Sequence, residues 1–506
     1  MSPVVSATTK QAELFSRQFV LLLAIVVVVG VVAMPGELYP GDPFAMREEA
    51  RAILLRGEYA LTDSIAHHYG AMSEFGQYVV DHPRTGRAYS KYGSMAAWFY
   101  VVPMAVERMI DGGLPPLNSD RRLIYLNVFN IVLSVLAAAS LYRTALRFRA
   151  PPWTATAFVV ACFYTTFVWN YLRAQNSEIM QLLLFSWATT AFLDAVETPS
   201  RRLTGSAVLR MWCACTALLL MKVAYILVGP LFGLGLVAQR KRVYGISWPR
   251  ALYQEIALHA LPAVVCLAVW ALNNHVKFGA PWLTGYHAWR PEVHGFNGRL
   301  ADSLPQLFFS VQWGFAACFP VLLLAMPWIG RWLRREPFRY GTLAGIAVTY
   351  VGLVGMLPSW RGEWCYGPRY WMFILPFVSL PAIDAIRWLA SRKGVSWITT
   401  AAVVCGLCYS TWLQWQVNRW PFFTYYDLRT PLERQAGMAV ASAFCLKSYG
   451  KIQSDMYQCR DDLSRLEWWA DMKEVLGPDF AEQYELRVRE AFSKTNLFWW
   501  QQTDKR

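Results

Sequence analysis

The stretch FVLLLAIVVVVGVVAM (residues 19–34) runs directly into PGELYPGDPFAMREEARAILLR (residues 35–56). The first half is a continuous apolar run. The second is polar, and the polarity continues through His67, His68, Asp81, Arg87 and Lys91, up to a half-apolar piece from Tyr92 to Met109. Lipid offers no partner to backbone N–H and C=O groups, so only helices and closed barrels can span it. The run is continuous rather than alternating, so it reads as a helix. A large charged loop set directly after the first membrane helix is an unusual place to spend polar residues. Chemistry at the membrane surface is one good reason to do so.

The same pattern recurs along the chain. Of its 506 residues, 55% are hydrophobic, with 24 Trp, 25 Tyr and 28 Phe. Many apolar runs approach the roughly 20 residues that cross about 30 Å of hydrocarbon. The fold class is therefore an all-α polytopic membrane protein. The net charge of +14 does not point to nucleic acid, because the Lys and Arg residues sit between apolar spans, where they orient the chain and meet anionic lipid. Most of the 10 Cys lie in or beside apolar runs and read as small core residues. The first span lacks a small-x-small cleavage site and reads as retained.

Candidate spans are about 19–34, 122–142, 153–170, 177–194, 207–222, 223–239, 254–272, 311–329, 339–357, 370–389 and 396–413. The stretch 92–110 is apolar enough to cross, but Pro103, Glu107 and Arg108 cut it short. The excess of cytoplasmic Lys and Arg decides its place. If 92–110 lies at the interface and the N-terminus is inside, one face collects every compact basic cluster. These are Lys10 and Arg17; Arg143, Arg147 and Arg149; Arg201 and Arg202; Arg240, Lys241 and Arg242; Arg331, Arg334 and Arg335; and Arg387, Arg392 and Lys393. The expectation is about eleven spans, with a cytoplasmic N-terminus (1–18), a membrane domain (19–413) whose first outer loop is 35–121, and an outer helical tail (414–506). The tail has helical apolar spacing over Glu433 to Phe444 and Leu463 to Leu476. Its Cys445 and Cys459 would pair or stay free according to the compartment. The long aromatic loops all fall outside, and long ordered loops usually carry function.

Asp42 stands a few residues beyond the first span. It reads as a helix N-cap followed by Pro43 at N1, and equally as a general base held at the bilayer surface. The helix 43–56 would lie on the membrane with Met46, Ala50, Ile53 and Leu54 down and Arg47, Glu48 and Arg51 toward water. Lys91 precedes the interfacial helix, where it would snorkel to headgroups or hold a substrate phosphate. Glu178, after Arg173, Gln175 and Asn176, is either a partner for the helix dipole or a functional acid at a span edge. Lys222, at the turn between two apolar runs, is an anchor or a second phosphate contact.

The loop PSWRGEWCYGPRY (residues 358–370) is the densest polar-aromatic cluster of the chain. An aromatic belt accounts for Trp360, Trp364, Tyr366 and Tyr370, but not for Arg361, Glu363 and Arg369 packed among them. Rings stack on sugar C–H faces, and Arg grips phosphate by paired hydrogen bonds. The loop 273–299 adds Lys277, Trp282, Tyr286, His287, Trp289 and Arg290. There is no metal-ligand spacing. Asp42 with Glu178 would hold a divalent cation only if the fold brings them together. No other cofactor is implied.

This layout resembles the membrane-embedded GT-C glycosyltransferases, in particular the protein O-mannosyltransferase and lipid A aminoarabinose transferase branch. Four features carry the likeness. Asp42 follows the first span, and Tyr89 to Tyr92 with Lys91 precede an interfacial helix. Glu178 follows an Arg-containing outer loop. The segments 278–286 and 360–370 look like patterns of bacterial members. Two positions depart from the pattern: Pro43 stands where mannosyltransferases carry the second acid of an Asp-Glu pair, and Tyr92-Gly93 replace the prolines of a Lys-Pro-Pro motif. The resemblance implies transfer of a sugar from a polyprenyl-phosphate carrier to a glycolipid, polysaccharide or protein on the outer face of a bacterial inner membrane. Carried over, Asp42 would be the base, Glu178 a second acid, and Lys91, with Lys222 or Arg369, the phosphate ligands. Tyr92, Tyr286, His287, Trp360, Arg361, Glu363 and Tyr370 would complete the substrate-binding surface. The rival readings are a transporter or flippase of lipid-linked sugars, an oligosaccharide ligase or polymerase, and a non-catalytic scaffold. A transporter would more often carry repeats, broken spans and mid-membrane charges.

Overall fold

Helix α1 (Arg17–Val32) starts where the hydroxyl of Ser16 accepts from the backbone N–H of Phe19, and it buries the stripe Phe19, Leu22 and Val26. The computed structural model describes residues 16–36, 42–62, 78–114, 120–197, 201–245, 247–289, 298–309, 314–357, 367–391 and 397–419. After α1 the chain forms α2 (Asp42–Arg56), the hairpin β1 (Val79–Asp81) and β2 (Ala88–Ser90), and α3 (Ser94–Asp111). The strands pair antiparallel, Val80 opposite Tyr89. There follow α4 (Asp120–Arg147), α5 (Pro152–Tyr164), α6 (Val168–Arg173), α7 (Ser177–Glu197), α8 (Arg201–Met221), α9 (Val228–Tyr244) and α10 (Trp248–Phe278). The remainder is α11 (Gly285–Trp289), α12 (Leu300–Phe309), α13 (Phe315–Cys318), α14 (Val321–Arg335), α15 (Arg339–Gly355), α16 (Leu375–Val378), α17 (Ala382–Ser391) and α18 (Trp397–Arg419).

Among the described residues, 5 helical stretches are long and apolar enough to cross a membrane: Arg122–Arg147, Ser177–Glu197, Thr204–Met221, Val223–Val243 and Trp248–Phe278. The helices Arg17–Val32 and Pro152–Tyr164 are apolar but shorter. The chain is a multi-pass helical membrane protein. Helix α10 turns most of its surface outward, with Leu261 72% and Leu272 64% exposed, as a lipid-facing helix does. Helix α7 is the opposite, buried on nearly every side.

Three expected spans are interrupted. The stretch 153–170 ends as a helix at Tyr164 and resumes as α6. The stretch 311–329 is divided between α13 and α14, with Pro320 at the break. The stretch 370–389 is split into a 3-10 turn (Arg369–Trp371), α16 and α17. Proline disfavours the helical region for its predecessor and supplies no N–H, so Pro320, Pro376 and Pro381 punctuate runs that hydropathy reads as continuous.

The expected orientation of α2 is corrected. Arg47, Glu48 and Glu49 are 2%, 2% and 0% exposed; they do not face water. The helix turns this charged side onto α3, which in turn packs on α4. Glu48 stands 3.9 Å from Arg51 on the same helix, Glu49 pairs with Lys277 of α10 at 2.7 Å, and beside them Arg122 of α4 pairs with Glu107 of α3 at 3.3 Å with both side chains 1% exposed. Helix α3 buries Ala96, Ala97, Tyr100 and Met104 and exposes an apolar flank of Trp98, Val102, Val106 and Met109.

Candidate active site

Asp42 opens α2, and four other elements bring cations or rings toward it. Tyr92, just past β2, donates its hydroxyl to Oδ1 of Asp42. Arg369, in the 3-10 turn after the outer loop, places Nη1 3.6 Å from Oδ2 of Asp42. The same nitrogen lies 3.9 Å from Oε1 of Glu178 at the start of α7. Lys222, at the end of α8, brings Nζ to 3.5 Å from that oxygen. The fold thus unites the two carboxylates, and the cation between them is the Arg369 guanidinium. The second Glu178 oxygen, Oε2, is buried without a hydrogen-bond partner among the described residues.

Aromatic faces line the cations. The Lys91 ammonium stands 5.5 Å from the Tyr78 ring, 5.4 Å from Tyr92 and 5.7 Å from Tyr286. Lys222 and Arg369 lie 5.3 Å and 5.1 Å from the Tyr370 ring. Ring quadrupoles favour cations at this range. Lys91 is only 6% exposed and does not snorkel outward.

Asp42 keeps 31% of its side-chain surface exposed, so a substrate can reach it. Burial pushes its carboxyl up, but Arg369, Lys91, the Tyr92 hydroxyl and Lys222 together hold it below the usual aspartate value. Burial and the Asp42 charge push the Tyr92 hydroxyl well above the usual tyrosine value. It therefore stays protonated at neutral pH and acts as a donor. Tyr286 is pushed up in the same way.

Local sequence explains the placement. Gly367 has φ 65°, and a Cβ there would meet the Phe167 ring at 2.6 Å; only glycine lets the chain turn into Arg369 so close to α6. The C-terminal end of α1 is tied to the turn before α7. Nε of Arg173 donates to the Ala33 carbonyl at 2.7 Å, the Asn127 amide donates to the Pro35 carbonyl, and Gln175 donates to Asn127. The Tyr100 hydroxyl donates to the Gln175 carbonyl at 2.6 Å, fixing the turn three residues before Glu178.

Of the expected site residues, Asp42, Lys91, Tyr92, Glu178, Lys222, Tyr286, Arg369 and Tyr370 come together. His287 does not join them: it is exposed, and its Nδ1 lies 2.7 Å from the Thr284 hydroxyl. Trp360, Arg361 and Glu363 lie outside the described residues, as do Cys445, Cys459 and the tail from 420. No group of three or more His, Cys, Asp and Glu with metal-ligand geometry occurs among the described residues.

Lys277, expected in the loop 273–299, instead stands in the last turn of α10, and Glu49 had no role assigned from sequence. Lys277 and Glu49 are both 0% exposed and form an ion pair at 2.7 Å. Lys277 also donates to the Tyr92 carbonyl at 2.6 Å. Burial pushes the Glu49 carboxyl up, and the neighbouring ammonium opposes that. Beside Lys91 and Lys222, a narrow cleft lies along Leu219, Leu220, Trp270 and Phe278, between α8 and α10.

Solved structures share this architecture. Across 96% of this chain and 77% of the other, it superposes on ArnT from Cupriavidus metallidurans bound to undecaprenyl phosphate, with TM-score 0.52 and 15% identity. The chain has a GT-C fold. The resemblance drawn from sequence is thereby borne out as a likeness of fold. The Archaeoglobus fulgidus oligosaccharyltransferase tethered to an acceptor peptide matches with TM-score 0.52 and 10% identity over 86% of this chain. The same archaeal enzyme, AglB, in complex with an inhibitory peptide and a dolichol-phosphate, matches with TM-score 0.52 and 12% identity over 85%. The chain spans 59% of the archaeal enzyme's length. No family model and no curated protein sequence matches it.

Proposed function

We propose that the protein transfers a monosaccharide from a polyprenyl-phosphate carrier to a hydroxyl acceptor at the outer face of a bacterial inner membrane. One observation carries the reading: a half-buried aspartate stands within 4 Å of an arginine shared with a second carboxylate, beside two tyrosine-lined lysines. A base next to a cationic cradle is the division of labour this transfer needs. Asp42 takes the proton of the acceptor hydroxyl. The acceptor oxygen bonds to the anomeric carbon as the bond from that carbon to the phosphate oxygen breaks, and the electron pair leaves with the phosphate. The leaving phosphate gains negative charge, so Lys91, Lys222 and Arg369 stabilise the transition state more than the ground state. Glu178 orients Lys222 and Arg369.

The neighbours support the choice of carrier. ArnT was solved with undecaprenyl phosphate and AglB with a dolichol-phosphate. The cleft beside Lys91 and Lys222 is lined by these cations together with apolar Leu219, Leu220 and Trp270, a mix of the kind a lipid phosphate calls for. Acceptors of this geometry are glycolipids, polysaccharides or surface proteins.

Mass spectrometry of envelope glycolipid, polysaccharide and protein tests the reading in cells with the gene, without it, and with Asp42→Asn. Loss of one sugar in both the deletion and the point variant is the expected result. A sugar restored by Asp42→Asn, with the protein present in the membrane, removes Asp42 from the base role.

A further inference from the structure

We propose that the buried Lys277–Glu49 pair is a positioning device that sets the geometry of Asp42 and Tyr92. The proposal rests on Asp42 being the base. A buried ion pair is a poor way to gain stability, because desolvation offsets most of the Coulomb attraction. This pair, however, ties the helix that carries Asp42 to the backbone of Tyr92. Glu49 lies on α2 seven residues after Asp42, which is two turns on and nearly the same face, about 10 Å away along the axis. Tyr92 gives its hydroxyl to Asp42 and its carbonyl to the Lys277 ammonium.

The four residues close a loop. The α2 backbone joins Asp42 to Glu49. The ammonium joins Glu49 to the Tyr92 carbonyl, through contacts of 2.7 and 2.6 Å. The phenol returns to Asp42. With the helix rigid and the ammonium fixed on two oxygens, only one placement of the phenol satisfies all contacts. Lys277 itself stands in the last turn of α10, where the helix dipole favours a cation. An apolar pair of equal volume would fill the same space but would leave the Tyr92 backbone free to slide relative to α2.

The double variant Glu49→Leu with Lys277→Met removes the device without stranding a buried charge. Three readouts apply. Transfer is followed as sugar product per amount of folded protein in complemented deletion cells. Carrier binding is followed with undecaprenyl phosphate by tryptophan fluorescence of the purified protein. The Asp42 carboxylate is followed by difference infrared titration, with Asp42→Asn as the blank. The expected rate falls about 100-fold, the loss that about 1 Å of misplacement produces, while carrier affinity stays within about 2-fold. The Asp42 midpoint moves to higher pH, because the Tyr92 donor that holds it down no longer aligns. A merely structural pair would lower the yield of folded protein without moving that midpoint.

Lys277→Arg keeps two donors and is expected to restore most of the rate. If the double variant does not fold, Lys277→Gln, which reaches one partner but not both, is expected to lie between the two. A folded double variant with wild-type rate and midpoint, alongside an inactive Asp42→Asn, overturns the positioning role alone. An active Asp42→Asn overturns the base assignment and this proposal with it.

Discussion

Replacing Gly285 by alanine adds one methyl group where the segment after α10 crosses the backbone of Lys91. The new Cβ would lie 2.2 Å from the Lys91 carbonyl oxygen and 2.6 Å from its Cα. Non-bonded heavy atoms sit comfortably at roughly 3.5 Å, and both obstructing atoms are backbone, so no rotamer change relieves the clash. The two segments must part by about 1 Å. Overpacking of this kind costs about 1–3 kcal/mol, and about 1 Å of displacement in a reacting site lowers a rate about 100-fold. The displaced residues matter, because Tyr286 follows directly and its ring faces the Lys91 ammonium. The expected outcome is a folded protein whose transfer rate drops about 100-fold and whose affinity for undecaprenyl phosphate weakens. Gly345→Ala in α15 is the control, since a Cβ there meets nothing within 4 Å; wild-type rate and affinity are expected. Wild-type behaviour in folded Gly285→Ala would refute the claim that a fixed Lys91–Tyr286 relation serves catalysis.

Arg369→Gln removes the largest cationic influence on Asp42. The Asp42 carboxyl then titrates at higher pH, and because a base works only above its own pKa, the acid limb of the rate-versus-pH profile shifts upward. An unmoved limb would separate Arg369 from Asp42. Arg122→Met strands Glu107, which is 1% exposed; a broken buried pair costs about 3–5 kcal/mol, seen as a lowered thermal midpoint in detergent. Adding Glu107→Leu should return most of that loss.

The apolar runs, the charged loop after α1, and Asp42, Lys91, Glu178, Lys222 and Arg369 as residues of interest were all legible from sequence. Each is a local statement. A run either matches lipid or does not, and a charge at its edge stands out. Proline breaks at Pro320 and Pro376 were also local, but hydropathy averaged over a window hides them. The burial of Arg47 and Glu48 was not legible, because the spacing on α2 marks a charged side without naming what covers it. Here α3 packs along α2.

The division between the two levels of information follows from chain distance. The solvent acts on each segment separately, so sequence by itself determined the helical membrane class and the polar residues that stand at the helix ends. Pairing depends on which segments meet. Lys277 and Glu49 are 228 positions apart, and nothing local to either states that one ammonium would bind both that carboxylate and the backbone of Tyr92. Arg369 standing between Asp42 and Glu178 is the same kind of fact. Tertiary packing alone decided it, because the energy of a buried charge depends on its nearest partners in space and not on its neighbours along the chain.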